Sequence, residues 1–116
     1  MSSLRGKLAI VGAADTAVGI VADRSPTELC VDAALAALAD AGLGKQDVDG
    51  LITCNAFAEP IMYHAEAIAE YLQIFPPLCM SVGTGGGTTF AVLQQAAAAI
   101  EAGLASTILI SMADSM

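Results

Sequence analysis

From Gly83 to Thr89 the sequence reads GTGGGTT, four glycines and three threonines without a charged side chain. Glycine leaves the main chain bare, so amide N–H groups can come close to a ligand oxygen. A helix starting just beyond adds partial positive charge at its N-terminus without any lysine. Gly83, Thr84, Gly85, Gly86, Gly87 and Thr88 are therefore the candidate ligand-contacting residues, suited to an anion or to an oxyanion that develops during reaction. The same glycines would equally serve a tight turn and close helix packing, and Thr88 or Thr89 would equally cap the helix. The run is not a dinucleotide fingerprint, because the third glycine of GxGxxG would fall on Thr88. No Gly-Lys-Ser or Gly-Lys-Thr follows it either.

Other residues with chemical potential are few. His64 is the single histidine, and Tyr63 beside it could share a proton transfer. A histidine on an amphipathic helix serves equally as a hydrogen-bonded structural residue. Cys54, in ITCNAF at a strand end, is a candidate nucleophile, although free cysteine is commonly buried and inert. Asn55 and Glu59, in the loop beyond it, could face a ligand or a partner, or simply solvent. Cys30, Cys54 and Cys79 lack CxxC spacing, so metal and disulfide frameworks are not expected. Met62, Met80 and Met112 read as fillers of core or interface space.

Twelve acidic against four basic side chains leave a net charge of −8 over 116 residues, which disfavours nucleic acid and anionic membrane surfaces as partners. Arg5, Lys7, Arg24 and Lys45 are scattered through the first half, so a phosphate grip would have to come largely from main chain. No apolar run reaches the roughly eighteen residues of a spanning helix, and the first residues lack a signal-peptide core. A soluble, cytoplasmic protein is the expectation. The hydrophobic fraction of 56%, rich in alanine and poor in aromatics, implies close helix packing and apolar surface that calls for neighbours.

The elements that would position these residues alternate. Leu8–Ala14 (LAIVGAA) reads as a strand buried on both faces. Ser25-Pro26-Thr27-Glu28 supplies an N-cap, a first-turn proline and a capping-box glutamate, and Ala41-Gly42 closes that helix. Val48–Cys54 is a second strand, Pro60 opens a second helix, and Leu78–Val82 is a third strand. A third helix runs from about Thr88 to Gly103, and Ser106–Met112 is a fourth strand. Strand–helix alternation specifies an α/β layered domain with a mainly parallel sheet. Glycines after the third strand then lie at a strand's carboxyl end, where such sheets bind ligands.

The order LAIVGAADT, DAALAALADAGL, VDGLITC and, after the glycine loop, AAAAIEAG resembles the N-terminal part of the thiolase superfamily, closest to the lipid-transfer-protein (sterol carrier) type. The resemblance runs along the whole chain, so residues 1–116 are expected to form an incomplete thiolase-like N-terminal domain. Members of the superfamily carry a nucleophilic cysteine at the start of the third helix. Counting back from AIEAG puts that position at Gly86, and shifts of one or two residues reach Gly85, Gly87 or Thr84, so no thiol is supplied. Without it there is no acyl-enzyme. The resemblance implies an acyl-CoA thioester substrate, with coenzyme A entering as part of the substrate and no bound cofactor. It points to retro-aldol carbon–carbon cleavage of a lipid or steroid side chain, as in members that lack the cysteine. Those members work with a small oligonucleotide-fold partner protein. A homodimer is also implied. Acyltransferase activity and a non-catalytic subunit are the alternatives, and the catalytic base is left unassigned, since the superfamily's histidine motifs fall later in the chain.

Overall fold

A computed structural model describes residues 3–115; Met1, Ser2 and Met116 lie outside the described residues. The first helix, α1 (Pro26–Ala41), starts as its sequence dictates. Ser25 Oγ accepts from the Glu28 amide at 3.1 Å, while Glu28 Oε1 accepts from the Ser25 amide at 3.2 Å. These reciprocal bonds satisfy two donors that a helix start otherwise leaves orphaned. Gly42 ends the helix in the left-handed region, with φ 71° and ψ 26°. A 3-10 turn (Lys45–Asp47) leads into β1 (Gly50–Thr53).

All four β1 residues are buried, as expected of a strand covered on both faces. It is the centre of a parallel sheet of order β2-β1-β3, with β2 at Leu78–Ser81 and β3 at Ile108–Ile110. Gly50 lies opposite both Leu78 and Ile108. A Cβ at Gly50 would stand 2.9 Å from Ile108 Cγ1, so the register requires glycine there. Side chains alternate across the strand. Leu51 enters one core with Cys30, Leu38, Ile68 and Leu72 from α1 and α2 (His64–Leu72). Ile52 enters the other with Val92 and Ala96 of α3 (Thr88–Glu101). Helices on both faces of a parallel sheet are the α/β architecture expected. Met80 and Met112 pack on the Ile52 cluster, whereas Met62 is exposed.

Three expectations about elements are corrected. Leu8–Ala14 forms no strand: it runs past the molecule as an extended strap with Ile10 79% exposed. Its ties are Lys7 to Glu101 at 3.1 Å and the Ala13 amide donating to Asp40 at 3.0 Å, which fix it to the helices instead of to a strand. A strand needs a neighbouring backbone row at about 4.8 Å. Between the strap and the outer side of β3 lies an apolar groove of about 760 Å³, lined by residues such as Ile10, Leu93, Ile100 and Ile110. The second helix begins at His64 rather than Pro60, because its first turn is fixed by a tertiary contact: Ser81 Oγ accepts from the Ala65 amide at 3.3 Å. Thr88 does not cap α3; Gly87 holds the cap position without a side-chain bond. Among the described residues no helix is long and apolar enough to cross a membrane.

Candidate functional site

Two groups of residues meet the carboxyl ends of the strands. The first is the glycine loop between β2 and α3, in which residues 83–87 are all exposed. Thr88 holds it from beneath: its hydroxyl donates to the Gly85 carbonyl at 2.7 Å and accepts from the Thr84 amide at 3.0 Å. Gly85 adopts φ +67°, a left-handed conformation that favours glycine at the turn. Gly83 and Gly86 are different. A Cβ at either would meet nothing within 4 Å, and neither has positive φ. Packing within the chain therefore does not explain these two glycines, and their bare backbone faces open space beside the α3 N-terminus. Phe90, in the first turn of α3, is 77% exposed. The loop from Gly83 to Thr88 contains no titratable side chain.

The second group is buried and rich in side chains. His64, the first residue of α2, has 0% relative exposure. Neither of its ring nitrogens has a hydrogen-bond partner among the described residues. Burial holds the imidazole below its ordinary pKa, while the charges of Glu59 and Asp114 act in the opposite direction. Asp114, just past β3, accepts from the amides of Phe57 at 2.8 Å and Ala58 at 3.1 Å, pinning the loop that precedes α2. Burial acts to raise the Asp114 pKa, but those amides, the Ser115 amide and His64 outweigh it and hold the carboxyl below its usual range. Glu59 accepts a short hydrogen bond from the Thr27 hydroxyl at the start of α1. Beneath them the Thr53 hydroxyl donates to the Ser111 carbonyl and the Ser111 hydroxyl donates to the Cys30 carbonyl, each at 2.6 Å. Buried polar atoms thus stitch α1, β1 and the end of β3 together.

Burial dominates the environment of all three thiols. Cys30 is fully buried, and burial pushes its pKa up to about 11. Burial raises Cys54 too, helped by the charge of Asp114, and raises Cys79, helped by Glu66. Each is therefore a protonated thiol at neutral pH, and none belongs to the glycine loop. Tyr63 is exposed while His64 is buried, so the two neighbours do not share a proton path. Asn55 is exposed, whereas Glu59 is half-buried and bonded to Thr27. Asp114, Thr27, Thr53 and Ser111 were invisible as a group in sequence, since they lie as many as 87 positions apart and are joined only by topology. The signal that could have flagged Asp114 is its place immediately beyond an apolar strand, where side chains cap neighbouring loops.

No protein-family model matches the chain. Among curated proteins, the steroid side-chain-cleaving aldolase of Thermomonospora curvata is 40% identical over 110 residues, 93% of this chain and 27% of that protein. The 17-hydroxy-3-oxo-4-pregnene-20-carboxyl-CoA lyase of Mycobacterium tuberculosis is 38% identical over 107 residues, 90% of this chain and 26% of that protein. The chain thus spans about a quarter of the length of the curated relatives it matches. Among solved structures, the Ltp2-ChsH2(DUF35) aldolase superposes with a TM-score of 0.73 at 36% identity, covering 88% of this chain and 26% of that one. The 3-oxoacyl-acyl-carrier-protein synthase III of Aquifex aeolicus VF5 has a TM-score of 0.68 at 20% identity, covering 78% of this chain and 30% of that one, and bears on the fold alone. The chain has the thiolase-like fold.

Proposed function

We propose that the full-length protein is an acyl-CoA lyase that cleaves a carbon–carbon bond by a retro-aldol route, without a cysteine acyl-enzyme. The single observation that carries this reading is the bare, exposed main chain at Gly83 and Gly86, unconstrained by packing, at the N-terminus of α3. The names of the two curated relatives, an aldolase and a CoA lyase, support it. The substrate class is a β-hydroxyacyl-CoA with a lipid or steroid side chain, coenzyme A being part of the substrate, and the chain stands nearest the lipid-transfer type of thiolase-like protein.

In this reaction a base takes the proton of the β-hydroxyl, the Cα–Cβ bond breaks, and the hydroxyl-bearing carbon becomes a carbonyl. The bonding electrons pass to the thioester as an enolate, which takes a proton at Cα. The step that needs help is the charge growing on the thioester oxygen. Amide donors and a helix N-terminus offer that help while adding no nucleophile. Gly83, Thr84, Gly85, Gly86, Gly87 and Thr88 contact the substrate in this proposal, with Gly86 standing where a thiolase would carry its cysteine. Acyl transfer through Cys54 is disfavoured by its raised pKa. The base lies outside the glycine loop. Homodimer formation and a small oligonucleotide-fold partner belong to the same proposal. The name of the solved aldolase, which pairs Ltp2 with ChsH2(DUF35), supports the partner.

The test incubates the full-length protein, with and without the candidate partner, with a β-hydroxyacyl-CoA and follows the shortened acyl-CoA and the carbonyl product. Cleavage is expected, and thiolysis with free coenzyme A is expected to fail. Thiolysis at enzyme-like rates would overturn the proposal.

A further inference from the structure

His64 is a buried polar side chain that the chemistry above leaves unused. Its imidazole sits at 0% exposure with both nitrogens unpartnered among the described residues, although buried polar groups are nearly always satisfied. As a neutral ring this costs the fold one unsatisfied donor and one unsatisfied acceptor. As an imidazolium it would be a buried charge without a partner, which is far more costly.

The charged groups that act on it are Glu59, from the loop before α2, and Asp114, from the segment after β3. Both already anchor the loop. Asp114 holds the Phe57 and Ala58 amides, and Glu59 holds the Thr27 hydroxyl of α1. The polar side chains of the other packed elements are engaged elsewhere: Ser81 of β2 accepts from the Ala65 amide, and the Thr53 and Ser111 hydroxyls donate to carbonyls. A proton on His64 is satisfied by drawing the Asp114 or Glu59 carboxylate toward the ring, or by letting the loop swing away and water in. Each of these loads or moves an anchor of residues 55–63.

We propose that His64 is a proton-operated latch: neutral, it lets the 55–63 loop lie pinned over the ends of β1 and β3, and protonated, it releases that loop. The release reaches the glycine loop through a short path, since the Ala65 amide beside His64 bonds Ser81, two residues before Gly83. The latch stands on the loop anchors and does not rest on the lyase reading.

Hydrogen–deuterium exchange of the purified chain tests this without any substrate. Rates for peptides covering 55–63, normalised to intrinsic exchange, are compared at about pH 7.5 and about pH 5.5, which bracket ordinary histidine titration. We expect roughly tenfold loss of protection in that segment at the lower pH, with the β1 peptide unchanged, and a flat profile in His64→Gln and His64→Phe. A flat wild-type profile, or the same loss in His64→Gln, would overturn the latch. Should both variants fail to fold, the wild-type imidazole decides. Because the chain has one histidine, its ring protons titrate as a single resolvable set. The latch requires them to share one midpoint with the Phe57 and Ala58 amide shifts, and separate midpoints refute it.

Discussion

The glycine loop and the His64 cluster occupy the same end of the sheet and solve opposite problems. Residues 83–87 are exposed, uncharged and held by one threonine hydroxyl; beside the buried His64, the buried Thr53 and Ser111 knit three elements with side-chain bonds. One region offers main chain to the outside and asks little of the fold, while the other spends its polar atoms inward. The contrast shows that perturbed titratable groups and exposed bare main chain lie in different regions here. His64 and Cys30, both perturbed by burial, are closed to solvent, and residues 83–87 have nothing to titrate.

Substitutions separate the two regions, and the largest effect is expected at the glycine loop. Gly86→Glu places a carboxylate where an oxyanion would develop, and cleavage should fall by about 10²–10³-fold, the range seen when oxyanion stabilisation is lost. Its melting temperature should stay near wild type, because a Cβ there meets open space. Loss of stability with Gly86→Glu would erase the contrast. Thr53→Val does the reverse. It removes the 2.6 Å bond to the Ser111 carbonyl and should cost about 1–3 kcal/mol of stability by denaturant titration, leaving the glycine loop's exchange unchanged. Gly85→Ala lies between the two, because φ +67° strains any side chain, and about 1–2 kcal/mol is expected.

Acid sharpens the comparison further. A histidine whose folded pKa lies below the unfolded value binds its proton more readily when unfolded. Its contribution to stability is therefore complete above about pH 6.5 and diminishes as the pH falls below that value. The Asp114 carboxyl, held low, contributes above about pH 4 and is lost only on stronger acidification. Stability measured by urea titration should thus decline first in the histidine window, and His64→Phe should abolish that first decline while leaving the second. The smallest effect is expected at the strap: Lys7→Ala removes an exposed ion pair worth about 0–1 kcal/mol and should barely move the melting temperature.

Much of this was legible in the sequence where the determinants are local. The Ser25–Glu28 box, Gly42 and the apolar β1 run each carry their own instructions within a few residues, and the glycine loop was found by composition alone. What escaped depends on partners far along the chain. Pro60 looked like a helix start because nothing local announces that Ser81 will fix the first turn at Ala65. Leu8–Ala14 has a strand's composition, but pairing is a property of the neighbouring backbone and not of the segment itself. The Asp114 anchor joins residues 56 and 57 positions apart, a separation no periodicity encodes.

The central claim is that bare main chain, not sulfur, faces the reacting thioester. Intact-mass spectrometry of acid-quenched turnover by the full-length protein with a β-hydroxyacyl-CoA tests it most directly. The account predicts product formation with the polypeptide mass unchanged, equally in wild type and in Cys54→Ala. An acyl adduct on the protein that disappears with Cys54→Ala, together with the activity, would contradict it.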